Sequence, residues 1–511
     1  VPINADSIQL GPFHGGVRYD IPIEECGPHE LGGMENSRIG TAGQVEQRRG
    51  TDSFKDLAAV NSAATLTMCA QFNSNATTDH EIIVAGNKIY DYSSSAWTDR
   101  TGGLTVTVAN DNTFEWVDAN GVLVGTNGVD TDAFKIAGAA NATALDDNAR
   151  FTKGRHIAWF DNRLWIGNVN GATYKLWYSD TADIETWGAT SFFNFAGIIQ
   201  GLIPGQNHLT IHTTDGMYGL FPTGNATAPY SPQRLTEKAG IDGRAIVALP
   251  DDMQIMVRED GVYEWRGGST LDKVSDALDG NYWPFLEQSR LFKSHAVRFP
   301  IQNEVWFFLP YKGDQASQTN MNHVMVYNYR KRTTVNGKNV GVWHGPYTGF
   351  ERNCSALIDQ KVHAGDFSGF LMDHDDDEHG DDGSNIESSM TTGAPAPLGP
   401  DVKVRWLSAR HFYDGLGDYE IDVSQQGGQL IGSQEKLNLD GAGFQWDVSF
   451  WDIDSFQGIS QQSQDLPLNG YGPESALKYS HGVAGQTWII RRVIQRYKAL
   501  GRFNKPKPVD S

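Results

Sequence analysis

Residues 154–187 read GRHIAWFDNRLWIGNVNGATYKLWYSDTADIETWG. From Arg155 to Val169 apolar and polar residues alternate, with a break at Asp161-Asn162. Ile157, Trp159, Leu164 and Ile166 are expected to face a core, and His156, Arg163 and Asn168 to meet solvent. A period of two with turn residues in its middle predicts a β-hairpin. Asn170-Gly171 marks a second tight turn, and Tyr174, Leu176 and Tyr178 open another alternating strand. Three antiparallel strands in about 25 residues predict a blade-like sheet.

Similar phrases recur. Residues 209–220 turn at Asp215-Gly216, residues 253–265 at Asp260-Gly261, and residues 361–372 repeat the pattern once more. Upstream, 81–92 is a hairpin turning at Gly86-Asn87, followed by short strands at 104–108, 113–117 and 121–125. Tyr90, Trp165, Tyr218, Tyr263 and Phe370 take similar places just after these turns. The steps between them, roughly 45 and 53 residues in the clearest cases, fall in the range of propeller blades. One four-stranded blade cannot cover both of its faces, whereas blades around an axis cover one another, with aromatic side chains filling the space between them. The predicted fold is all-β: propeller-like repeats, roughly five to seven blades, with an appended C-terminal β-sandwich-like region. The expected divisions are an extended N-terminal arm (1–59) and an irregular β region or inserted domain (60–153). Blades follow at 154–395, unless the propeller starts near 60. A C-terminal β domain (396–511) ends in a basic arm.

Composition narrows the function. The chain of 511 residues has 62 acidic and 41 basic residues, a net charge of −21. Such a surface repels phosphate and does not suit nucleic-acid binding by counterion release. A wall that does not grip DNA does suit a conduit through which DNA slides. No run of 18 apolar residues exists, so no spanning helix is expected. The N-terminus, VPINADSIQLGPF, has neither the charged nor the apolar segment of a secretory signal. Cys26, Cys69 and Cys354 are far apart in sequence, which argues against a disulfide framework and a structural zinc site.

A search for catalytic motifs finds no GxSxG, HExxH, Walker loop or GxGxxG in the required context; no enzyme activity, metal or cofactor is expected. The acidic run 373–384, DHDDDEHGDDGS, fails as an EF-hand, because its sixth and twelfth places hold Glu378 and Ser384. Asp373, Asp375, Asp376, Asp377 and Glu378 are instead read as a solvated loop that faces a channel or an interface. His374 and His379 are too loosely spaced to specify a metal, and His208 with His212 reads as strand packing. Near the C-terminus, Arg491, Arg492, Arg496, Lys498 and Arg502 suggest a basic arm that docks on an acidic neighbour.

Several phrases together resemble a known family. GQVEQRRG (43–50), FDNRLWIG (160–167) with LWYS (176–179) and Trp187, and GDFSGFLM (365–372) with NIESSMTT (385–392) are similar to passages of bacteriophage tail proteins built on β-propellers. The overall layout resembles the nozzle, or packaged-DNA-stabilisation, family of short-tailed phages. That resemblance implies a structural subunit of the virion tail, made in the host cytoplasm. It implies a homo-oligomer, six copies forming a tube below portal and adaptor proteins and carrying fibres or spikes. DNA passes through such a tube without specific binding. The alternatives are a propeller that binds a glycan or host receptor and a glycoside-active propeller enzyme.

Overall fold

The structure, a computed structural model, describes residues 6–75, 78–93, 95–145, 152–376, 379–414, 420–426, 429–430, 434–439, 461–483 and 486–502. Among these residues the helices are six short 3-10 turns, the longest of six residues, and everything else regular is strand. No helix is long and apolar enough to cross a membrane.

Among the described residues, seven four-stranded antiparallel sheets follow one another along the chain. Their first strands are Leu66–Asn75, Glu115–Asp118, His156–Phe160, Ile199–Pro204, Ile246–Ala248, His295–Phe299 and Cys354–Ile358. Each first strand packs beside the next, and the seventh packs back against the first, so the sheets close into a ring. The molecule thus contains a seven-bladed β-propeller. The quoted stretch is its third blade: Asp161 and Asn162 both have positive φ, 52° and 54°, as a two-residue hairpin turn matched to strand twist requires. Trp165 is fully buried between blades three and four, against Ile199 and Leu209. Blades four and five share a device visible in sequence. The Tyr218 and Tyr263 hydroxyls donate back to the turn carboxylates Asp215 and Asp260 at 2.8 and 2.7 Å. Gly216 and Gly261 follow those carboxylates with φ of 149° and 146°, where a side chain would be strained.

Residues 60–153 follow the alternative in which the propeller starts near 60 and are not an irregular region: they form blade one (66–99) and blade two (115–144). Within them, 104–108 is not a strand but part of the connection between the two blades. Residues 6–53 are not an arm. Gly50–Ser53 is the outermost strand of blade seven, paired with Leu371–Asp376, so a segment preceding blade one completes the last blade and closes the ring.

The remaining strands build two further sheets from both ends of the chain. One runs in the order Gln429–Leu430, Gln461–Gly472, Val402–Asp414, Ile489–Arg502, Val45–Gln47, Ser37–Ile39, with Asp6–Leu10 also on Ile489–Arg502. The other runs Gly16–Val17, Glu30–Glu35, Ser388–Thr392, Ala476–His481, Glu420–Gln426, Gln434–Asn438. Leu10, Phe13, Leu31 and Val45 from the N-terminal strands and Trp406, Tyr479, Trp488 and Val493 from the C-terminal ones share a single core. That core continues without a break into blades five and six, through Val262, Trp283, Phe307 and Trp343.

Polar contacts secure the same junction. The long hairpin of blade six, His323–Val335 and Lys338–Tyr347, reaches the N-terminal strands, where Lys331 Nζ donates to the carbonyls of Ile39 (2.9 Å) and Gly40 (2.7 Å). Arg48, buried, donates to Asn36 Oδ1 at 2.8 Å, to Thr348 O at 3.1 Å and to both carboxylate oxygens of Asp381. Propeller and sandwich are one packed body.

Candidate functional site

In a propeller the axis, where the first strands converge, is the natural place to look for a site. Here the axis holds a cavity of about 290 Å³, walled by Met68, Trp116, Ile157, Leu202, Ile246 and Ala296, among others. Glu115, Arg244, His295 and Asn353 add charged and polar groups to the same wall. At the end where the first strands begin, the connection between blades one and two lies across the mouth and is tied down on several sides. Asn353 Nδ2 of blade seven donates to Asn110 O at 3.1 Å. Lys293, at the entry to blade six, pairs with Asp111. Arg244, at the entry to blade five, donates to Thr113 Oγ1, to Asp242 Oδ1 at 3.0 Å and to Phe292 O at 3.2 Å. Arg155, at the entry to blade three, donates to Thr113 O at 3.1 Å and Asn127 O at 3.0 Å, and lies 3.4 Å from Asp242.

The Arg155–Asp242–Arg244 bridge therefore spans the mouth and pins the cap. Burial opposes ionisation of Asp242, but Arg244, Arg155 and His156 outweigh it and hold its carboxyl below the ordinary range. Beside it, His156 Nδ1 and Glu115 Oε1 are 2.8 Å apart. His295 is buried against Phe308, ring centroids 4.5 Å apart. Burial, with Arg244 alongside, pushes its pKa down to about 3. The arginines spend their donors on protein acceptors, so the cluster acts as a clasp on the cap. Replacing Arg244 by Ala strips a buried carboxylate of its nearest cation and is expected to cost on the order of 3 kcal/mol. A urea unfolding midpoint unchanged from the parent would refute the clasp.

The residues singled out in sequence lie elsewhere. Asp373 is not in a loop: it sits on the strand Leu371–Asp376, opposite Asp52, and its carboxylate meets His363 Nε2. Asp375 and Asp376 belong to the same strand by their backbone; their side chains, and Asp377 and Glu378 altogether, lie outside the described residues. That strand is the third of its blade, so Asp373 and the backbone of Asp375 and Asp376 lie away from the propeller axis. His374 is buried and accepts from Arg352 Nε at 3.0 Å. His212 is hydrogen-bonded to Gln254 Oε1 at 3.0 Å, and His208 stacks on Phe221. Among the described residues no group of three or more His, Cys, Asp or Glu side chains could hold a metal ion.

The basic segment is not a free arm either. Arg491, Arg492, Arg496, Lys498 and Arg502 lie on the strand Ile489–Arg502, held between Val402–Asp414 on one side and N-terminal strands on the other. Arg491 pairs with Asp414, at 2.5 and 2.8 Å; Arg492 lies 4.3 Å over the Phe412 ring; Arg496 is 3.9 Å from Asp465. Alternation explains the placement: Trp488, Ile490, Val493, Gln495 and Tyr497 turn inward, which leaves charged residues on the other face. Lys498 is exposed.

No family model and no curated protein matches the chain. Among solved structures, virginiamycin B lyase from Staphylococcus aureus is similar over 62% of this chain and 97% of its own, at 10% identity and a TM-score of 0.41. BamB from Moraxella catarrhalis is similar over 64% and 97%, at 12% identity and a TM-score of 0.37. An exo-β-1,3-galactanase from Phanerochaete chrysosporium covers 77% and 97%, at 9% identity and a TM-score of 0.28.

Proposed function

We propose that this chain is an architectural subunit of a short-tailed phage nozzle, several copies of which surround a conduit for DNA. The observation that carries the reading is the capped axis. A cavity of about 290 Å³ under a pinned lid admits no duplex, so DNA passes beside the propeller, along an axis shared by several copies. Closed point-group rings are the ordinary way for one chain to enclose such an axis. The continuous core between propeller and sandwich supplies a stiff body for that ring. The net charge of −21 keeps the wall from holding the phosphate backbone. Adaptor or portal proteins on one side and fibres or spikes on the other are the partners this reading implies.

A second reading, recognition of a glycan or receptor, is favoured by one feature. On the capped face an open depression of about 570 Å³ is edged by exposed Phe292 and Ile198, with Asn170 and Gln200 alongside. Mass measurement on the purified chain, alone and with an adaptor ring, separates the two. Closed rings of about six copies are expected for a nozzle. A monomer that binds a saccharide saturably on a glycan array would replace the first reading by the second.

A further inference from the structure

Cys69 and Cys354 are 285 positions apart in the sequence, yet the closed ring brings them together. Cys69 lies on the first strand of blade one and Cys354 opens the first strand of blade seven, the two strands that meet at the seam of the ring. Both side chains are buried, at 1% and 8% exposure, in one cluster with Leu66, Ile83 and Ala356. Contact with Cys354, together with burial, raises the pKa of the Cys69 thiol well above its ordinary value. Cys354 Sγ also lies 3.8 Å from Leu66 O, on the neighbouring strand. Gly365 leaves room for the sulfur, since a Cβ there would stand 2.7 Å from it. Both cysteines border the axial cavity, which gives a small molecule a route to them.

We propose that Cys69 and Cys354 are a cross-linking site, forming a disulfide that seals the propeller seam when the protein meets a small peroxide. The more exposed thiol, Cys354, attacks one oxygen of hydrogen peroxide, giving a sulfenic acid and one water. The Cys69 thiol then attacks that sulfur; the S–S bond forms and the hydroxyl leaves with the thiol proton as a second water. Two thiols lose two electrons and two protons, and the peroxide takes up both. Burial limits the approach of peroxide, so the reaction is slow compared with that of an exposed cysteine. The new bond encloses blades two to six in one covalent loop and ties together the two ends of the ring, which otherwise meet through packing, the strand Gly50–Ser53 and hydrogen bonds such as Asn353 Nδ2 to Leu66 O at 2.9 Å. The inference rests on the geometry of the seam and does not depend on the nozzle reading.

The test is peroxide treatment of the intact, folded protein, followed by alkylation, proteolysis and mass spectrometry. The expected product is a peptide pair joined through Cys69 and Cys354, two hydrogens lighter than the separate peptides and split by dithiothreitol. The apparent unfolding temperature should rise by on the order of 5 °C on oxidation and fall back on reduction. Cys26→Ser should keep this response, and Cys69→Ser and Cys354→Ser should lose it. Recovery of Cys69 and Cys354 as free thiols, or each separately as a sulfinic acid, from protein that stayed folded would overturn the proposal. Because that readout uses the parent protein, it holds even if a serine variant fails to fold.

Discussion

Deletion of residues 1–53 will abolish the cooperative fold of both the sandwich and the propeller. The deletion removes Asp6–Leu10, Gly16–Val17, Glu30–Glu35, Ser37–Ile39 and Val45–Gln47 from the two sandwich sheets, and Gly50–Ser53 from blade seven. Leu10, Phe13, Val17, Leu31, Met34, Ile39 and Val45, none more than 5% exposed, leave the shared core with them. At about 1.5–3 kcal/mol for each buried apolar side chain, their loss matches or exceeds a typical domain stability of about 5–15 kcal/mol. The exposed edges of the opened sheets would also pair between molecules. The expected product is aggregated, or soluble without a calorimetric transition. An extended arm, by contrast, could be removed with little effect, and a truncated chain that melts like the parent would show the N-terminal strands to be dispensable.

Acidification will unfold the protein between pH 6.5 and about 4, a window that begins well above the pKa of exposed carboxylates, about 4. Burial pushes the pKa of His212 down to about 4, against an opposing hydrogen bond that the imidazole donates to Gln254 Oε1. It pushes those of His295 and His411 down to about 3 and that of His374 well below its ordinary value. In the unfolded chain each titrates near 6.5. Between those values the unfolded state binds more protons than the folded one, so stability is whole above about pH 6.5 and drains as the pH falls. Each such histidine forfeits about 1.4 kcal/mol per pH unit in that window. Four of them together match a domain's whole margin before pH 4 is reached. Tryptophan fluorescence during an acid titration is expected to show a cooperative transition near pH 4.5–5, moved to lower pH by His295→Gln or His411→Gln. A transition that occurs only below about pH 3 would mean that the buried imidazoles accept protons in place.

The blades were legible because their information is local. A turn such as Asp161-Asn162 and the alternation on either side of it lie within a dozen residues, and the Asp-Gly-x-Tyr phrases at 215–218 and 260–263 fold into the same hydrogen-bonded corner. The N-terminal strands were hidden because they are too short to show a period. Val45–Gln47 has three residues, and its partners at 489–490 stand at the far end of the chain. Arg492 and Arg496 read as an arm because their contacts, Phe412 and Asp465, are distant in sequence. The clasp over the axis was invisible for the same reason: Thr113, Arg155 and the pair Asp242 and Arg244 come from three separate blade entries and form no motif. Cys69 and Cys354 looked unrelated until the ring closed.

The nozzle reading stands on a capped propeller that cannot itself serve as the conduit. Electron microscopy of the assembled oligomer tests this most directly. A ring of subunits with a wide central lumen, each propeller standing beside the lumen with its own axis plugged by the 100–114 connection, is the result this account predicts. Single particles with no ring under any assembly condition, or a lumen that runs through the propeller axis itself, would contradict it.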